Sequence, residues 1–305
     1  MPDIRPRRSV LYMPGANARA LEKARTLPAD GIIIDLEDAV APDAKEAARA
    51  QVVAAVRQGG YGHREVVIRV NAPDTPWGEA DLAAACEAAP DAILVPKVSD
   101  SGTLVSIGHR LRRLGASEKM RVWAMIETPL AILRCEEIAR AARDVDTRLA
   151  CFVMGTNDLA KETRARQVPG RAPMLPWLAT AVAAARAHDL DILDGVYNGL
   201  QDEAGFRAEC EQGRDLGFDG KTLIHPNQVG PANEVFAPPA AEIDEARAII
   251  AAFARPENRG KGVISLEGRM VERMHADIAE RTVALAEAIG RGSGEPLSGM
   301  GERQG

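Results

Sequence analysis

Glu127, Asp158 and Arg69 stand at places in this 305-residue chain where a charged side chain needs a reason. Glu127 closes the apolar run Val122-Trp-Ala-Met-Ile126, and Asp158 follows Leu149-Ala-Cys-Phe-Val153. Two carboxylates without histidine or thiolate companions suit a hard, oxygen-seeking cation that keeps several waters, Mg²⁺ first and Mn²⁺ as the alternative. The competing reading is a pair of acids salt-bridged to nearby bases. Arg69 lies inside Val66-Val-Ile-Arg-Val70, where an unpaired guanidinium would be very costly, so it must have an anionic partner. That partner is either a substrate carboxylate held bidentately, or Glu37 or Asp38 in a structural ion pair. Arg19 and Lys23, four residues apart, project from one helix face near Arg8 and Tyr12, where they can grip phosphates or simply face solvent. His225, just before Pro226, reads first as a hydrogen-bond partner that orders a loop.

These residues fall at the ends of a repeating unit. Eight short Val-, Ile- and Leu-rich runs, 9–13, 31–35, 66–70, 92–96, 122–126, 149–153, 192–196 and 221–224, predict eight strands. Ala-, Glu- and Arg-rich stretches of helical period lie between them, at 16–26, 44–58, 77–89, 130–143 and 177–188. Apolar strands alternating with helices imply a parallel sheet covered on both faces, and eight units over about 225 residues predict a (β/α)₈ TIM barrel. No glycine-rich phosphate-binding signature follows any of the strands. Chemistry in such a barrel gathers where strands end, and polar residues close every run: Tyr12; Asp35, Glu37 and Asp38; Arg69 and Asn71; Lys97; Glu127; Asn157 and Asp158; Tyr197 and Asn198; His225 and Asn227. The pattern changes after residue 236. Residues 237–290 read as an appended C-terminal helical arm or lid, with helices at 242–253 and 269–289, and residues 291–305 as a disordered tail.

A net charge of −6, from 38 Lys and Arg against 44 Asp and Glu, argues against a broad nucleic-acid or anionic-membrane surface. The four cysteines are far apart and lack metal or redox spacing, no secretory signal is legible, and no run of about 18 apolar residues is present. A cytoplasmic setting, with no membrane and no nucleic-acid partner, is the expectation.

At Arg8-Ser-Val-Leu-Tyr-Met-Pro-Gly15, Asp35-Leu-Glu-Asp-Ala-Val40, Val67-Ile-Arg-Val-Asn71 and Leu94-Val-Pro-Lys-Val98 the chain resembles the citrate lyase β-subunit and malyl-CoA lyase family of the HpcH/HpaI aldolase superfamily. Met125-Ile-Glu-Thr-Pro129, Gly155-Thr-Asn-Asp-Leu159 and Gly220-Lys-Thr-Leu-Ile-His-Pro226 continue the resemblance in order, over about residues 7–288. It implies a Mg²⁺-dependent lyase that makes or breaks the C–C bond of a short 3-hydroxydicarboxylyl-CoA, such as malyl-CoA. Glu127 and Asp158 would be the metal ligands, Arg69 the carboxylate anchor, and Tyr12, Arg19, Lys23, Ile224 and His225 the contacts to the CoA thioester. It also implies a homotrimer or hexamer whose arm reaches a neighbouring subunit. Family lyases carry a catalytic aspartate in a Met-Ile-Asp-x-Pro stretch of that arm, whereas this chain reads Met270-Val-Glu-Arg-Met274, making Glu272 the candidate acid or base. The alternative for Glu272 is a solvated helix position. Gly155-Thr-Asn-Asp-Leu-Ala-Lys161 and Asp194-Gly-Val-Tyr-Asn198 also resemble a malyl-CoA thioesterase branch, which hydrolyses the thioester to malate and CoA with Glu272 or Asp38 activating water. A third reading is a citrate lyase β subunit acting on an acyl-carrier-protein thioester within a complex.

Overall fold

Eight parallel strands close into a barrel: β1 (Ser9–Pro14), β2 (Gly31–Asp35), β3 (Glu65–Arg69), β4 (Ala92–Val95), β5 (Arg121–Ile126), β6 (Leu149–Met154), β7 (Asp191–Asp194) and β8 (Gly220–Leu223). The computed structural model describes residues 4–293. Each strand pairs with the next, and β1 closes on β8. The architecture is a (β/α)₈ TIM barrel, and every strand lies within two residues of its predicted bounds. Among the described residues no helix is long and apolar enough to cross a membrane.

Alternation along the strands sorts the apolar residues into two layers. Val10, Ile33, Val67, Leu94, Trp123, Met125, Val153 and Leu193 fill the barrel interior. Their strand neighbours, among them Leu11, Ile32, Ile68, Ile93, Phe152 and Ile192, pack under the surrounding helices. Continuing the inward parity by two residues past Val10, Ile33, Val67 and Met125 reaches Tyr12, Asp35, Arg69 and Glu127. The C-terminal mouth of the barrel is therefore polar by register. At the opposite end Arg7 forks onto Glu65 at 2.7 and 2.8 Å, pairs with Asp191, and lies 5.1 Å from the ring centroid of Trp123. Arg8 forks onto Asp30 at 2.8 and 2.9 Å at the start of β1. It therefore does not belong to the base cluster with Arg19 and Lys23, which follow the other end of that strand.

Between β7 and the helix Glu203–Leu216 a charge cluster is shut inside the protein. Lys221 and Asp194 are both fully buried; Lys221 Nζ donates to Asp194 at 2.9 Å and to Glu209 at 2.8 Å. Arg171, on the loop after β6, donates to both Asp194 oxygens at 2.7 and 2.8 Å. Burial alone would raise the Asp194 carboxyl, but Lys221 and Arg171 outweigh it and hold it below the usual range.

The chain divides after Phe236, and the C-terminal unit has its own small core of Ala252, Phe253, Ile264, Val271 and Ala276. The predicted helix at 269–289 is corrected here. Residues Arg269–Glu272 form β10, which pairs antiparallel with β9 (Val263–Leu266), and the helix runs from Arg273 to Ser293. Glu267 and Gly268 both have positive φ, 51° and 79°, the condition for a tight two-residue hairpin turn. Glu272 thus ends a strand and is not a helix position. The predicted helix at 130–143 is also interrupted, at Arg134 (φ −111°), giving Pro129–Leu133 and Cys135–Arg140. Of the predicted tail, Arg291–Ser293 continue the last helix, and 294–305 lie outside the described residues.

Asp194→Ala leaves the buried Lys221 and Arg171 to share Glu209 as their one acid partner among the described residues, so the barrel should lose roughly 3–5 kcal/mol in urea denaturation. Because the native carboxyl is held down, the stability it contributes is present above the ordinary Asp range and is lost as pH falls through it. The wild type should therefore weaken below about pH 4 more steeply than Asp194→Ala.

Candidate active site at the barrel mouth

Arg69 ends β3 directly opposite Asp35 in the β2–β3 register. Its Nε and Nη2 donate to the two Asp35 oxygens at 2.7 and 2.6 Å, a bidentate fork. Asp35 also accepts the backbone N–H groups of Glu37 at 2.8 Å and Ala39 at 3.0 Å, so one carboxylate sets both the guanidinium and the turn after β2. Arg69 Nη1 lies 2.8 Å from Glu37 Oε2 and 3.5 Å from Asp38. The Glu37 contact is misaligned for a hydrogen bond and leaves that buried oxygen unpartnered. The Tyr12 ring covers the guanidinium, 4.9 Å from its carbon. Burial works against the Arg69 charge, but Tyr12, Asp35 and Glu37 outweigh it and keep the group ionised. Sequence reasoning points to Glu37 and Asp38 as structural partners and misses Asp35 in that role. The signal is present all the same: Asp35 lies two residues beyond interior-facing Ile33, on the strand beside Arg69.

Glu127 follows β5 and is 1% exposed. Its Oε1 accepts the Lys97 backbone N–H at 2.7 Å, and Lys97, at φ 55°, reaches Glu37 with Nζ at 3.1 Å. Burial, then Glu37 and Asp158, push the Glu127 carboxyl up to about 8. Asp158 is half-buried in the first turn of the helix Thr156–Thr163. Glu127 has room only because residue 155 is glycine; a Cβ there would lie 2.4 Å from Glu127 Cβ and Oε2.

Glu37, Glu127, Asp158 and Lys97 thus share one electrostatic environment at the mouth. Among the described residues no group of three His, Cys, Asp or Glu side chains is arranged as a metal cage. The donor set still fits a Mg²⁺ that keeps most of its waters, because the two carboxylates are hard donors and Glu127 is destabilised by neighbouring negative charge.

Asp38 stands at the rim with its side chain 64% exposed. Arg19 and Lys23 are exposed on the helix Ala18–Ala24. Ile224 is 39% exposed after β8, and His225 Nδ1 accepts the Asn227 N–H at 3.2 Å, ordering its loop as expected. Tyr12, Asp38, Arg69, Glu127 and Asp158 therefore gather at or near the mouth, with the Arg19–Lys23 pair following the same end of β1. Glu272 belongs to the C-terminal unit, where its backbone N–H donates to His275 Nδ1 at 2.9 Å.

The family model described as HpcH/HpaI aldolase/citrate lyase matches residues 8–226, and the chain belongs to this family of enzymes. The (3S)-malyl-CoA thioesterase of Cereibacter sphaeroides strain KD131 is 52% identical over 284 residues, 93% of this chain and 96% of the relative. Citrate lyase subunit beta of Escherichia coli K12 is 34% identical over 291 residues, 94% and 95% of the two chains. Among solved structures, CitE from Mycobacterium tuberculosis in complex with magnesium, acetoacetate and coenzyme A matches with a TM-score of 0.73 at 26% identity, over 92% of this chain and 98% of that one. A citrate lyase of Burkholderia xenovorans LB400 shares the fold, with a TM-score of 0.79 at 18% identity over 97% and 94%.

Gly155→Ala must displace Glu127 or the backbone around it. Overpacking of this kind should cost roughly 1–3 kcal/mol, measurable as a lowered melting temperature relative to the wild type.

Proposed function

We propose that the chain is a Mg²⁺-dependent enzyme that hydrolyses the thioester of a short 3-hydroxydicarboxylyl-CoA of the malyl type, giving the free hydroxy-diacid and CoA. The sequence motifs alone put C–C cleavage to acetyl-CoA and glyoxylate first. The observation that moves hydrolysis to the front is the 52% identity to a (3S)-malyl-CoA thioesterase, against 34% to a citrate lyase β subunit. The CitE protein of similar fold, in complex with magnesium and coenzyme A, supports both ligand classes.

In this reading Glu127 and Asp158 hold the cation, which when bound polarises an oxygen of the hydroxy acid. Arg69, fixed by its fork to Asp35, offers its outward N–H groups to the substrate carboxylate. The Tyr12 ring and Met125, whose Sδ lies 3.8 Å from Arg69 Nη1, limit water around that ion pair. Asp38 is the exposed carboxylate beside Arg69 and takes a proton from the attacking water. The water oxygen bonds to the thioester carbon, the C–S bond breaks, and the departing thiolate takes up the proton that Asp38 holds. Tyr12, Arg19, Lys23, Ile224 and His225 are the CoA contacts, the two bases meeting its phosphates. Glu272 is the alternative acid or base, supplied by the C-terminal arm within a trimer or hexamer.

Purified protein with (3S)-malyl-CoA and Mg²⁺ should release malate and free CoA in equal amounts; glyoxylate with acetyl-CoA would instead assign the lyase reaction. Activity of the isolated chain on this ester would also remove the need for a carrier-protein partner. Glu127→Gln and Asp158→Asn should each weaken Mg²⁺ binding by calorimetry and abolish turnover. Asp38→Asn and Glu272→Gln separate the two candidate bases: the one that serves should lose about 10² to 10⁴ in rate and the other should not.

A further inference from the structure

The turn that leaves β2 carries Glu37 and Asp38, and Asp38 has the less to hold it. Its side chain is 64% exposed, and its one side-chain partner among the described residues is Arg69 Nη1, 3.5 Å away. A carboxylate in that position takes its direction from its own backbone. Two peptide planes set that direction, one on each side of the residue. The plane after Asp38 is tied by its N–H, since Ala39 donates to Asp35 Oδ2 at 3.0 Å. The plane before it is tied by its carbonyl, the Glu37 oxygen, which accepts Lys45 Nζ at 2.7 Å and the Val40 N–H at 3.1 Å.

Lys45 opens the helix Lys45–Gln58 and is 5% exposed. Its three ammonium protons meet three oxygens: the Leu36 carbonyl at 2.8 Å, the Glu37 carbonyl at 2.7 Å and Asn71 Oδ1 at 2.8 Å. Consecutive carbonyls of an extended chain point to opposite sides, so two of them converge on one nitrogen only where the chain bends, as it does at Leu36 and Glu37. Asn71 closes the clamp from β3. Its Nδ2 donates to the Leu36 carbonyl at 2.8 Å, its own N–H is held by Asp81 at 3.0 Å, and Asp81 is in turn held by Arg49 at 2.8 Å. Among the described residues Lys45 forms no ion pair with an acid, so a buried charge is met by neutral oxygens alone. Burial draws the ammonium below the usual lysine range, although Asp35, Asp81, Glu37 and Asp38 oppose the shift. With every proton engaged, Lys45 has no donor left for a substrate. What its charge does is hold the turn.

We propose that Lys45 is a positioning residue: by fixing the Leu36 and Glu37 carbonyls it aims the Asp38 carboxylate at the proton that Asp38 removes, without touching substrate or metal. The inference rests on the reading of Asp38 as the base. Arg69 keeps its own fork to Asp35, so Lys45 governs turnover rather than substrate affinity.

The test is a double-mutant cycle on turnover of malyl-CoA by the full chain with Mg²⁺, following all four products. Lys45→Met keeps an unbranched side chain of similar length and removes the three donors. It should lower kcat about tenfold to a hundredfold, the effect of a displacement of about 1 Å, with KM little changed. In the Asp38→Asn background the same substitution should lower kcat by less than about threefold, because the base that Lys45 aims is already gone. A loss of folded enzyme would act alike in both backgrounds. An equal Lys45→Met effect with and without Asp38 would therefore overturn the proposal, as would a wild-type rate in either single variant. Lys45→Arg keeps the charge but replaces a tetrahedral donor with a planar fork, so its kcat should fall between those of Lys45→Met and the wild type. It carries the same cycle if Lys45→Met folds poorly. Glyoxylate and acetyl-CoA as products would overturn the hydrolytic reading and leave a Lys45–Asp38 coupling standing, whereas malate and CoA formed without that coupling would sink this inference alone.

Discussion

A guanidinium at the inner mouth of an eight-stranded barrel has to be neutralised on the spot, and the Arg69–Asp35 fork meets that requirement. Both residues face inward because strand side chains alternate, and the one-to-one register of β2 with β3 sets them side by side. Each Asp35 oxygen that takes an N–H of Arg69 also accepts a backbone N–H, Oδ1 from Glu37 and Oδ2 from Ala39. The turn so fixed brings Glu37 between Arg69 and Lys97, and the Lys97 backbone in turn holds Glu127. Four strand ends are thereby coupled through alternating charges around one buried ion pair. The misaligned Arg69–Glu37 contact is the loosest link in this chain.

Much of the barrel is legible in the sequence because its signal is local. An apolar run bounded by polar residues is a property of five or six consecutive positions, and all eight strands follow from it. The polar residues that close those runs mark the mouth for the same reason. What is not legible depends on partners distant in sequence or on rotation about a strand. Asp35 can be seen as a strand-end acid, but its service to Arg69 depends on cross-strand register. The hairpin of β9 and β10 is hidden because Arg269–Glu272 is short and runs into a real helix; only Glu267-Gly268 signals it, through a turn that needs positive φ at both residues.

The two ends of the barrel use arginine for different purposes. Arg7 and Arg8 are each forked onto an acid at the N-terminal end, with every geometry suited to holding strands together. At the C-terminal end the acids outnumber the buried bases around Glu127, and burial together with this imbalance pushes its carboxyl up. Stability and chemistry are separated by the length of a strand.

Closure of β1 on β8 joins Val10 to Thr222 across more than two hundred residues of chain. During synthesis β1 emerges first and can pair with β2 at once, but its other edge stays open until β8 has left the ribosome. That open edge carries Val10 and Leu11, apolar on both faces, for most of the time the barrel takes to be made. Gly220 fits the seam so closely that a Cβ there would fall 1.9 Å from the Arg7 carbonyl oxygen, so only glycine lets the last strand close against the chain that leads into β1. The seam is therefore both the slowest contact of the fold to form, by its sequence separation, and the place where a nascent chain is most open to pairing with a neighbour.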